Sequence, residues 1–596
     1  MPEGSDPLVE RFESAVAAVE SRWEKLGLRP RKLDGRELSL YQGRSPEMGW
    51  RFDAEFSDRM RRLDIIVTGG FPSAPARVAL VDRPSFLTWP HVEKDGVLCL
   101  LPDHTTVSVD DPYDGVVSLL DEAFRMIEAA IRGELDDDFR AEFLTYWHHA
   151  ERGTTRTVLS LVEPGPPSRL ISVWEGSTQT VIAENDDQLR AWLRNFAPKM
   201  PSSAIKLRSG VLAWLDEVPL PAQYPSSARE VYDMAARAGA AHLLDDLARE
   251  TRPRAFIVFG ANTEHGPALA TAVVNRPKVL RGRDPLVAGF RPSAVPENIV
   301  HARLFGGSAA DRNSVERVDP AWVHGRERDP RIPKLRGATV AVLGCGSVGA
   351  PVALALARAG VGRLILVDKE SLKGANVGRH PLGVGSIGAA KAMALARMIR
   401  SSLPHVDVTC HVSVVQDVLL RADDPISKVD LVVSALGDWP AESLLDEWQA
   451  AQEKRVPIVY GWTEPHAAAG HAIVVFAAGD QLRAGLDAYG SPRLVAVRWA
   501  EETRSYEPAC GAAFDPYGPV ELGFVTSMVA QTALDVLLDQ VSSGTHRMWL
   551  ARRAFVEASG GVWSDKLRSV APQALEGATM VERRWGQILT AKVRAA

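Results

Sequence analysis

The pattern of apolar and polar positions in the last part of the chain predicts strands that alternate with helices. Val340–Leu343 and Leu364–Val367 are apolar runs of strand length, and the segment Ala350–Ala357 between them has the composition of a helix. Further strand-like runs follow at 429–435 and between 456 and 476. This alternation is typical of a Rossmann-like, doubly wound α/β sheet with an antiparallel extension.

The pattern near the N-terminus predicts a smaller α+β unit. Helical periodicity covers residues 6–25, alternating strand-like segments lie within 51–67, and apolar residues recur at helical spacing over 115–131. A mixed α/β composition then continues to about residue 330. It includes the strand-like run Arg254–Gly260 and the helical stretch Ala228–Arg249.

Length, charge and cysteine content restrict the class of protein. The chain has 596 residues, too many for one hydrophobic core, and we expect two to four domains. A formal net charge of −6 and a pI near 6.2 give no electrostatic reason for a nucleic-acid or membrane partner. The sequence has no 18-residue uncharged apolar run and an acidic start, so a cytoplasmic location is expected. Its four cysteines form no C-x-x-C pair, which argues against a disulfide scaffold and a Cys₄ zinc site.

A glycine-rich turn follows the first of the C-terminal strands. Gly344, Gly346 and Gly349 lie between Leu343 and the predicted helix, where the backbone and the helix N-terminus can approach phosphate. The second strand ends at Asp368, whose carboxylate can accept hydrogen bonds from ribose hydroxyls. These features predict a nucleotide site on a Rossmann-like sheet.

The residues after Asp368 distinguish between classes of nucleotide site. Asn376, Arg379 and Lys391 follow at spacings that resemble the adenylation domain of the ubiquitin-activating (E1), MoeB and ThiF family. The resemblance implies that these residues and Asp368 hold ATP, that Arg379 and Lys391 offset phosphate charge during catalysis, and that Asp438 binds Mg²⁺. A plain NAD site is the alternative, although a dehydrogenase has no use for Asn376, Arg379 and Lys391 at these spacings.

The segment from Phe71 to Leu100 resembles the region of the ubiquitin-conjugating (E2) fold around its active cysteine. It reads F-P-S-A-P-A-R-V and later W-P-H, followed by G-V-L-C-L. The resemblance implies that Cys99 is catalytic. His91 stands where E2 enzymes have the Asn of their H-P-N motif, and it is predicted either to donate to an oxyanion or to act as a base. The alternative is a turn at Pro90 with a small buried cysteine.

Cys510 lies in a polar Gly- and Pro-rich stretch that leads into the amphipathic helix predicted at 520–538. In E1-like enzymes a loop in this place can carry the cysteine that forms a thioester, and the resemblance implies that role for Cys510. A packing cysteine at the helix entry is the alternative. We expect Cys410 to belong to a strand core and Cys345 to the phosphate turn.

The order of the parts, E2-like first and E1-like last, resembles the E2–E1 fusion enzymes of bacterial CBASS anti-phage operons. The resemblance implies a homodimeric enzyme that uses ATP and Mg²⁺ to adenylate the C-terminal tail of a cyclic-oligonucleotide synthase. The acyl group would pass to Cys510, then to Cys99, and finally to an amine on a target protein. The alternatives are another bacterial system with a small ubiquitin-like partner, a sulfur-carrier adenylyltransferase of the ThiF/MoeB type, and a non-catalytic scaffold.

The middle region has no intact phosphate turn. By resemblance to two-part E1 enzymes it is either an inactive adenylation half or an unrelated α/β linker domain. The predicted domains are an E2-like domain at 1–153, this linker region at 154–330, and an active adenylation domain at 331–596.

Overall fold

The computed structural model describes residues 6–100, 108–150, 156–249, 254–275, 286, 288–291, 295–306, 308–421, 423–452, 455–476, 481–506, 513–515 and 517–585. The chain divides into two compact units. The first contains Met1–Glu184 and Leu207–Glu316, and the second contains Asn185–Lys206 and Arg317–Ala596.

The first part of unit one is an α+β domain, as the sequence predicts. Its strands form an antiparallel sheet in the order β1-β2-β3-β4. Helices α1 and α3 pack together, and their apolar residues, such as Val19 and Ile127, share one core with Ile65 of the sheet. The elements are α1 (Pro7–Lys25), β1 (Arg31–Lys32), α2 (Gly35–Leu38), β2 (Met48–Glu55), β3 (Met60–Val67), β4 (Arg77–Leu80), α3 (Pro112–Ile131), α4 (Asp136–Ala141) and α5 (Phe143–His149).

Both long helices of this domain begin at sequence signals. The Asp6 carboxylate accepts a hydrogen bond from the Leu8 N–H, and Pro7 occupies the first turn. The Asp111 carboxylate likewise accepts from the Asp114 N–H, with Pro112 in the first turn of α3. An acidic N-cap followed by proline satisfies free N–H groups and presets the helical φ angle, so both helices begin where observed.

The middle region forms a closed barrel with the strand order β10-β11-β5-β7-β6-β8-β9. Only the pairs β5–β7 and β8–β9 are parallel among its described strand pairs. The elements from here to the end of the barrel are β5 (Thr157–Ser160), β6 (Arg169–Glu175), β7 (Gln179–Ala183), α6 (Asp186–Phe196), β8 (Leu207–Trp214), α7 (Ala228–Arg237), α8 (Ala241–Arg249), β9 (Arg254–Thr263), β10 (Gly266–Asn275), α9 (Glu297–Phe305) and β11 (Ala310–Arg317).

Two expectations for the middle region need correction. An inactive adenylation half would have an open parallel sheet, and the largely antiparallel barrel differs from that arrangement. The helical stretch predicted at 228–249 is two helices, because Gly239 between them adopts a left-handed φ of 67° that ends α7.

Packing joins the end of the predicted E2-like domain, 1–153, to the barrel, and the boundary at residue 153 stays a prediction. Phe139, Phe143 and Trp147 of α4 and α5 are buried in the same hydrophobic cluster as the barrel residues. The Trp147 indole N–H donates to the Asn313 carbonyl on β11, 3.2 Å away. The core of the barrel therefore begins near residue 139, within the predicted E2-like domain, while α6 belongs to the second unit.

The second unit contains the predicted Rossmann-like sheet, with the strand order β14-β13-β12-β15-β16-β17-β21-β23. Neighbours from β14 to β16 are parallel, and those from β16 to β23 are antiparallel. Both the doubly wound sheet and its antiparallel extension are thereby confirmed. Beside α6, the elements are α10 (Pro320–Val323), α11 (Ile332–Gly337), β12 (Thr339–Leu343), α12 (Gly349–Arg358), β13 (Arg363–Val367), α13 (Lys391–Ser402), β14 (Asp407–His411), α14 (Val415–Leu419), β15 (Leu431–Ser434), α15 (Trp439–Ala451), β16 (Ile458–Thr463), β17 (Ala469–Val475), β18 (Val497–Trp499), β19 (Ser505–Tyr506), β20 (Ala513–Phe514), α16 (Pro519–Leu537), β21 (Thr545–Leu550), α17 (Arg553–Ala558), β22 (Gly561–Trp563), α18 (Asp565–Val570) and β23 (Thr579–Arg584).

Helix α16 is long and apolar enough to cross a bilayer by length and composition alone. It contacts α12, β16 and β17, and Val525, Val529 and Ala533 on it are fully buried. Most of its apolar residues are therefore accounted for by the core of the second unit, whereas Val520 and Phe524 are exposed.

Candidate active sites

The glycine turn after β12 is shaped by close backbone contacts. Gly344 has a φ of 86°, and a Cβ atom there would lie 2.6 Å from the Ala435 carbonyl oxygen. A Cβ atom on Gly349 would lie 1.9 Å from the Gly344 carbonyl oxygen. A Cβ atom on Gly346 would meet nothing within 4 Å. Packing therefore requires Gly344 and Gly349, whereas Gly346 leaves the face of the turn open.

A cavity of about 320 Å³ lies against this turn, at the carboxyl ends of β12, β13 and β15. Ligands of open α/β sheets bind at such strand ends. The structure brings five predicted residues to the cavity wall: Gly344, Gly346, Asp368, Lys391 and Asp438. Lys369, Glu370 and Gln416 also line it.

Asp368 is held in place by two backbone hydrogen bonds. Its Oδ2 accepts from the Cys345 N–H at 2.7 Å, and its Oδ1 accepts from the Glu370 N–H at 2.6 Å. The carboxylate thus ties the glycine turn to the end of β13. Each oxygen has a further lone pair, so the group can also accept from ribose hydroxyls.

Lys391 is almost fully buried at the start of α13, and its Nζ donates to Glu370 Oε2 at 2.6 Å. This hydrogen bond is the main reason that the pKa of Glu370 lies below its usual value. The Glu370 side chain is 59% exposed, so solvent weakens the pair. A phosphate oxygen in the cavity can therefore compete with Glu370 for the ammonium group.

Three of the predicted nucleotide residues do not line this cavity. Asn376 Oδ1 accepts from the Lys373 N–H at 3.0 Å, and Gly349 packs beneath the turn. The Arg379 guanidinium lies 4.6 Å from the ring centre of Tyr517 and lines a neighbouring cavity of about 360 Å³. Direct contact of these three residues with a nucleotide stays a prediction.

Asp438 is an exposed carboxylate at the N-terminus of α15, just after β15. The described residues contain no group of three or more His, Cys, Asp or Glu side chains that could hold a metal ion. Mg²⁺ is commonly held by one or two carboxylates together with substrate phosphates and water. Asp438 fits that pattern, in which the ion arrives with its nucleotide.

The structure reveals two further residues beside the turn that the sequence analysis missed. Glu442, one helical turn after Asp438, accepts from the Ser434 hydroxyl at 3.0 Å, and burial raises the pKa of Glu442 to about 7. His380 accepts from the Leu382 N–H at Nδ1, so its Nε2–H donates to the Cys345 carbonyl at 2.8 Å. The i, i+4 spacing of Asp438 and Glu442 was a usable signal, whereas nothing in the sequence paired His380 with Cys345.

The cysteines of the second unit differ in accessibility. Cys345 is fully buried, and burial raises the pKa of its thiol well above the usual value. Cys410 is partly buried on β14. Both observations agree with the expected packing roles. Cys510 lies outside the described residues, and its catalytic role stays a prediction.

Cys99 in the first unit has an exposed side chain. Its loop is fixed to β4 by pairing of Ala79 with Val97, and the Cys99 N–H donates to the His91 carbonyl at 2.9 Å. This backbone hydrogen bond brings the two residues together, as the sequence predicts.

The His91 imidazole is surrounded by acidic groups. Its Nε2 is 3.0 Å from Asp138 Oδ2, and its Nδ1 is 3.8 Å from Glu142 Oε2. Burial alone would lower the pKa of His91, but hydrogen bonds to Cys99 and Asp138 and the charges of Glu142 and Asp138 raise it to about 9. The ring is therefore protonated at neutral pH. This favours a donor over a base, the alternative that the sequence left open.

Comparison with known proteins identifies the two regions of the chain that contain these residues. The sequence model of the ThiF family matches residues 326–555, and that of prokaryotic E2 family B matches residues 21–155. The chain is 23% identical over 423 residues to the ATP-dependent ubiquitin transferase-like protein Cap2 of Pseudomonas aeruginosa (strain BWHPSA011 / Pa011), covering 68% of this chain and 72% of that protein.

A second relative and a solved structure each match less than half of this chain. Ubiquitin-like modifier-activating enzyme 5 of Caenorhabditis briggsae is 26% identical over 284 residues, which are 46% of this chain and 61% of that protein. The crystal structure of E. coli MccB with AMPCPP and MccA has a TM-score of 0.28 at 15% identity, covering 43% of this chain and 66% of that chain. The two family matches show that the chain joins an E2-like domain of prokaryotic E2 family B, at 21–155, to an E1-like domain of the ThiF family, at 326–555, as the resemblance to E2–E1 fusion enzymes predicted.

Proposed function

We propose that the chain uses ATP to activate the C-terminal carboxylate of a partner protein and carries the acyl group on its own cysteines to an amine. The main support is that one chain contains both a nucleotide-type cavity with Asp368, Lys391 and Asp438 and, in its other compact unit, an exposed Cys99 beside His91. A sulfur-carrier adenylyltransferase needs the cavity but leaves the arrangement at Cys99 unexplained.

In the adenylation step, a carboxylate oxygen of the partner attacks the α-phosphorus of ATP, and the bond to pyrophosphate breaks. Gly346 leaves the turn open to phosphate, and Asp368 accepts from the ribose hydroxyls. Lys391 turns from Glu370 towards the phosphates and offsets their charge. Mg²⁺ held at Asp438 would neutralise further charge on the phosphate groups.

In the transfer steps, the Cys510 sulfur attacks the acyl carbon and AMP leaves. The Cys99 sulfur then takes the acyl group by thiol exchange, and an amine nitrogen of the target finally displaces Cys99. The role of Cys510 rests on resemblance, whereas that of Cys99 is also supported by its exposure and its contact with His91.

The partner we propose is a cyclic-oligonucleotide synthase of a CBASS operon, activated in anti-phage defence. The E2-first, E1-last order and the similarity to Cap2 over most of both chains support this choice. We also propose a cytoplasmic homodimer. A small ubiquitin-like protein of another bacterial conjugation system is the other partner class to be tested.

The test is partner-dependent exchange of radiolabelled pyrophosphate into ATP by the full chain. A cyclic-oligonucleotide synthase and a small ubiquitin-like protein encoded beside this gene are each supplied with a free C-terminus and, as the control, with an amidated one. We expect exchange only with a free carboxylate, followed by a thiol-sensitive adduct. Exchange without any adduct would instead support an adenylyltransferase, and no exchange with any free C-terminus would contradict the proposal.

A further inference from the structure

Asp138, Glu142 and Tyr146 follow one another at four-residue intervals and contact His91, beside Cys99. Asp138 lies on α4, Glu142 lies between the helices, and Tyr146 lies on α5. The Asp138 carboxylate is 3.0 Å from His91 Nε2, and the Glu142 carboxylate is 3.8 Å from His91 Nδ1. The Tyr146 hydroxyl oxygen accepts from the His91 backbone N–H at 3.0 Å. The segment thus contacts both the ring and the backbone of the histidine beside Cys99.

The backbone of His91 is held in an unusual conformation. Its φ of 60° lies in the left-handed region, which is strained for a residue other than glycine. The bond to Tyr146 fixes its N–H, and the bond from the Cys99 N–H fixes its carbonyl. Such strain persists only where the surroundings impose it, and here the bonds to Tyr146 and Cys99 hold the His91 backbone in place.

Asp138 lies on α4 and Glu142 lies between α4 and α5. Both helices are anchored in the barrel core. Phe143 and Trp147 are buried in the barrel cluster, and the Trp147 indole is bonded to Asn313. The apolar side of the segment therefore belongs to the barrel core, while its acidic side faces His91. An acidic partner fixed in this way can orient a histidine ring and select which of its nitrogens carries a proton.

We propose that Asp138 is a positioning residue for His91, and that α4 and α5 thereby complete a Cys99–His91–Asp138 transfer site in the E2-like domain. The inference rests on the proposed transfer through Cys99. It gives α4 and α5, whose apolar side chains belong to the barrel core, a role in the transfer of the acyl group.

The charges around His91 indicate what the site does. Among the residues that the structure describes around the ring, Asp138 and Glu142 favour the imidazolium, Tyr146 remains neutral because burial raises its pKa, and Cys99 is a further titratable neighbour. An imidazolium cannot accept a proton from the thiol, but it stabilises negative charge on sulfur. Asp138 therefore contributes, together with Cys99 and Glu142, to the raised pKa that favours the His91 cation.

Both transfer steps involve negative charge on the Cys99 sulfur. In the exchange step the Cys99 thiolate attacks the incoming thioester, its S–C bond forms, and the donor sulfur leaves with the electron pair of the broken S–C bond. In the discharge step an amine nitrogen attacks, the N–C bond forms, and Cys99 leaves as a thiolate while the nitrogen loses a proton to water. The cation of His91 stabilises Cys99 as nucleophile in the first step and as leaving group in the second.

The test compares Asp138→Asn with Asp137→Asn in the full chain. Asp137 is the adjacent acidic residue, its side chain is 93% exposed, and it pairs with Arg140 rather than His91. The His91 titration is followed by NMR of ¹³Cε1-labelled histidine and assigned with His91→Gln. We expect the titration midpoint to fall by about one pH unit or more in Asp138→Asn and to stay unchanged in Asp137→Asn.

The second readout is discharge of an acyl group from Cys99 to free lysine. A synthetic peptide thioester loads Cys99 of the Cys510→Ala chain by exchange, so neither ATP nor a partner protein is needed. We expect Asp138→Asn to slow discharge about ten- to a hundredfold near neutral pH, because the ring loses both its orientation and its charge. The pH at which discharge declines should fall with the His91 titration.

An unchanged His91 midpoint in Asp138→Asn would overturn the inference, and so would a lower midpoint with unchanged discharge. Slower discharge without a shifted midpoint would indicate a structural role and would also overturn it. The Asp138 side chain is 42% exposed, so we expect its variants to fold; Asp138→Ser serves for the same comparison if the Asn variant does not. Because neither readout uses ATP or a partner, failure of the proposed adenylation would leave this result unaffected.

Discussion

The guanidinium of Arg379 stacks on the ring of Tyr517, 4.6 Å from its centre. The hydroxyl of the same tyrosine is 2.5 Å from the Ser347 Oγ in the glycine turn. Tyr517 lies between the predicted catalytic loop of Cys510 and helix α16, so it connects this part of the chain to the turn and to Arg379. Arg379 must leave the ring if it is to reach a phosphate in the main cavity.

Replacing the ring should therefore change ATP affinity. A cation–π contact at a partly exposed site stabilises by about 0.5–1 kcal/mol, which Arg379 gives up on moving to the phosphate. We expect Tyr517→Leu to tighten Mg²⁺·ATP binding about two- to fivefold by calorimetry, whereas Tyr517→Phe, which keeps the ring, should not.

The control for this prediction is the same substitution in an Arg379→Ala background. The tightening should disappear there, since the two side chains form a coupled pair. Equal tightening with and without Arg379 would show that the ring acts on the nucleotide by another route.

The metal assignment predicts a large effect at Asp438. Asp438→Ala should reduce partner-dependent pyrophosphate exchange about a hundredfold or more, because it removes the proposed carboxylate ligand of Mg²⁺. Asp565→Ala is the matched control, since Asp565 is 77% exposed and pairs with Arg498 far along the chain from the cavity residues. Wild-type exchange in Asp438→Ala at limiting Mg²⁺ would contradict the assignment.

The order of the two thioesters can be tested with a trap. Cys99→Lys should accumulate a partner adduct that resists reducing agents, because a lysine forms an isopeptide bond that cannot be passed on. Cys510→Ala should leave pyrophosphate exchange intact and prevent this adduct. If the adduct forms at the wild-type rate without Cys510, Cys99 attacks the adenylate directly.

The cavity proposed to bind the nucleotide was largely predictable, because the ends of the strands can be recognised in the sequence. Gly344, Asp368 and Asp438 each follow an apolar run, and parallel strands bring their carboxyl ends to one edge of the sheet. The exact position of Arg379 was not predictable, because it depends on a contact with Tyr517, which is 138 residues away in the sequence (517 − 379).

The barrel and the contact between Asp138 and His91 could not be predicted from the sequence, because both depend on contacts between distant residues. Strands such as β5, with four residues, carry little periodicity, and the closed order of the barrel depends on long-range pairing. Asp138 is 47 residues from His91 and reaches it only because α4 and α5 pack into the barrel core. A short acidic stretch on a helix otherwise predicts only a solvated face.

Glu442 provides a prediction about stability that needs no partner. Burial raises its pKa from 4.5 to about 7, so below pH 4.5 the carboxyl group is neutral in both the folded and unfolded chain. Between these values the unfolded chain ionises first, and the free energy of unfolding falls as the pH rises; above pH 7 the loss is complete. Glu442→Gln removes this loss and can still accept the bond from Ser434.

We therefore expect Glu442→Gln to be more stable than the wild type at pH 8, by roughly 2–3 kcal/mol, and nearly equal to it at pH 4.5. The measurement is thermal unfolding across this pH range in EDTA, so that no metal ion contributes near Asp438. Glu447→Gln is the control on the same helix, because the Glu447 side chain is 64% exposed and should show no such pH-dependent gain. A constant difference between Glu442→Gln and the wild type at all pH values would mean that Glu442 ionises normally, and that its burial beside Ser434 carries no electrostatic cost.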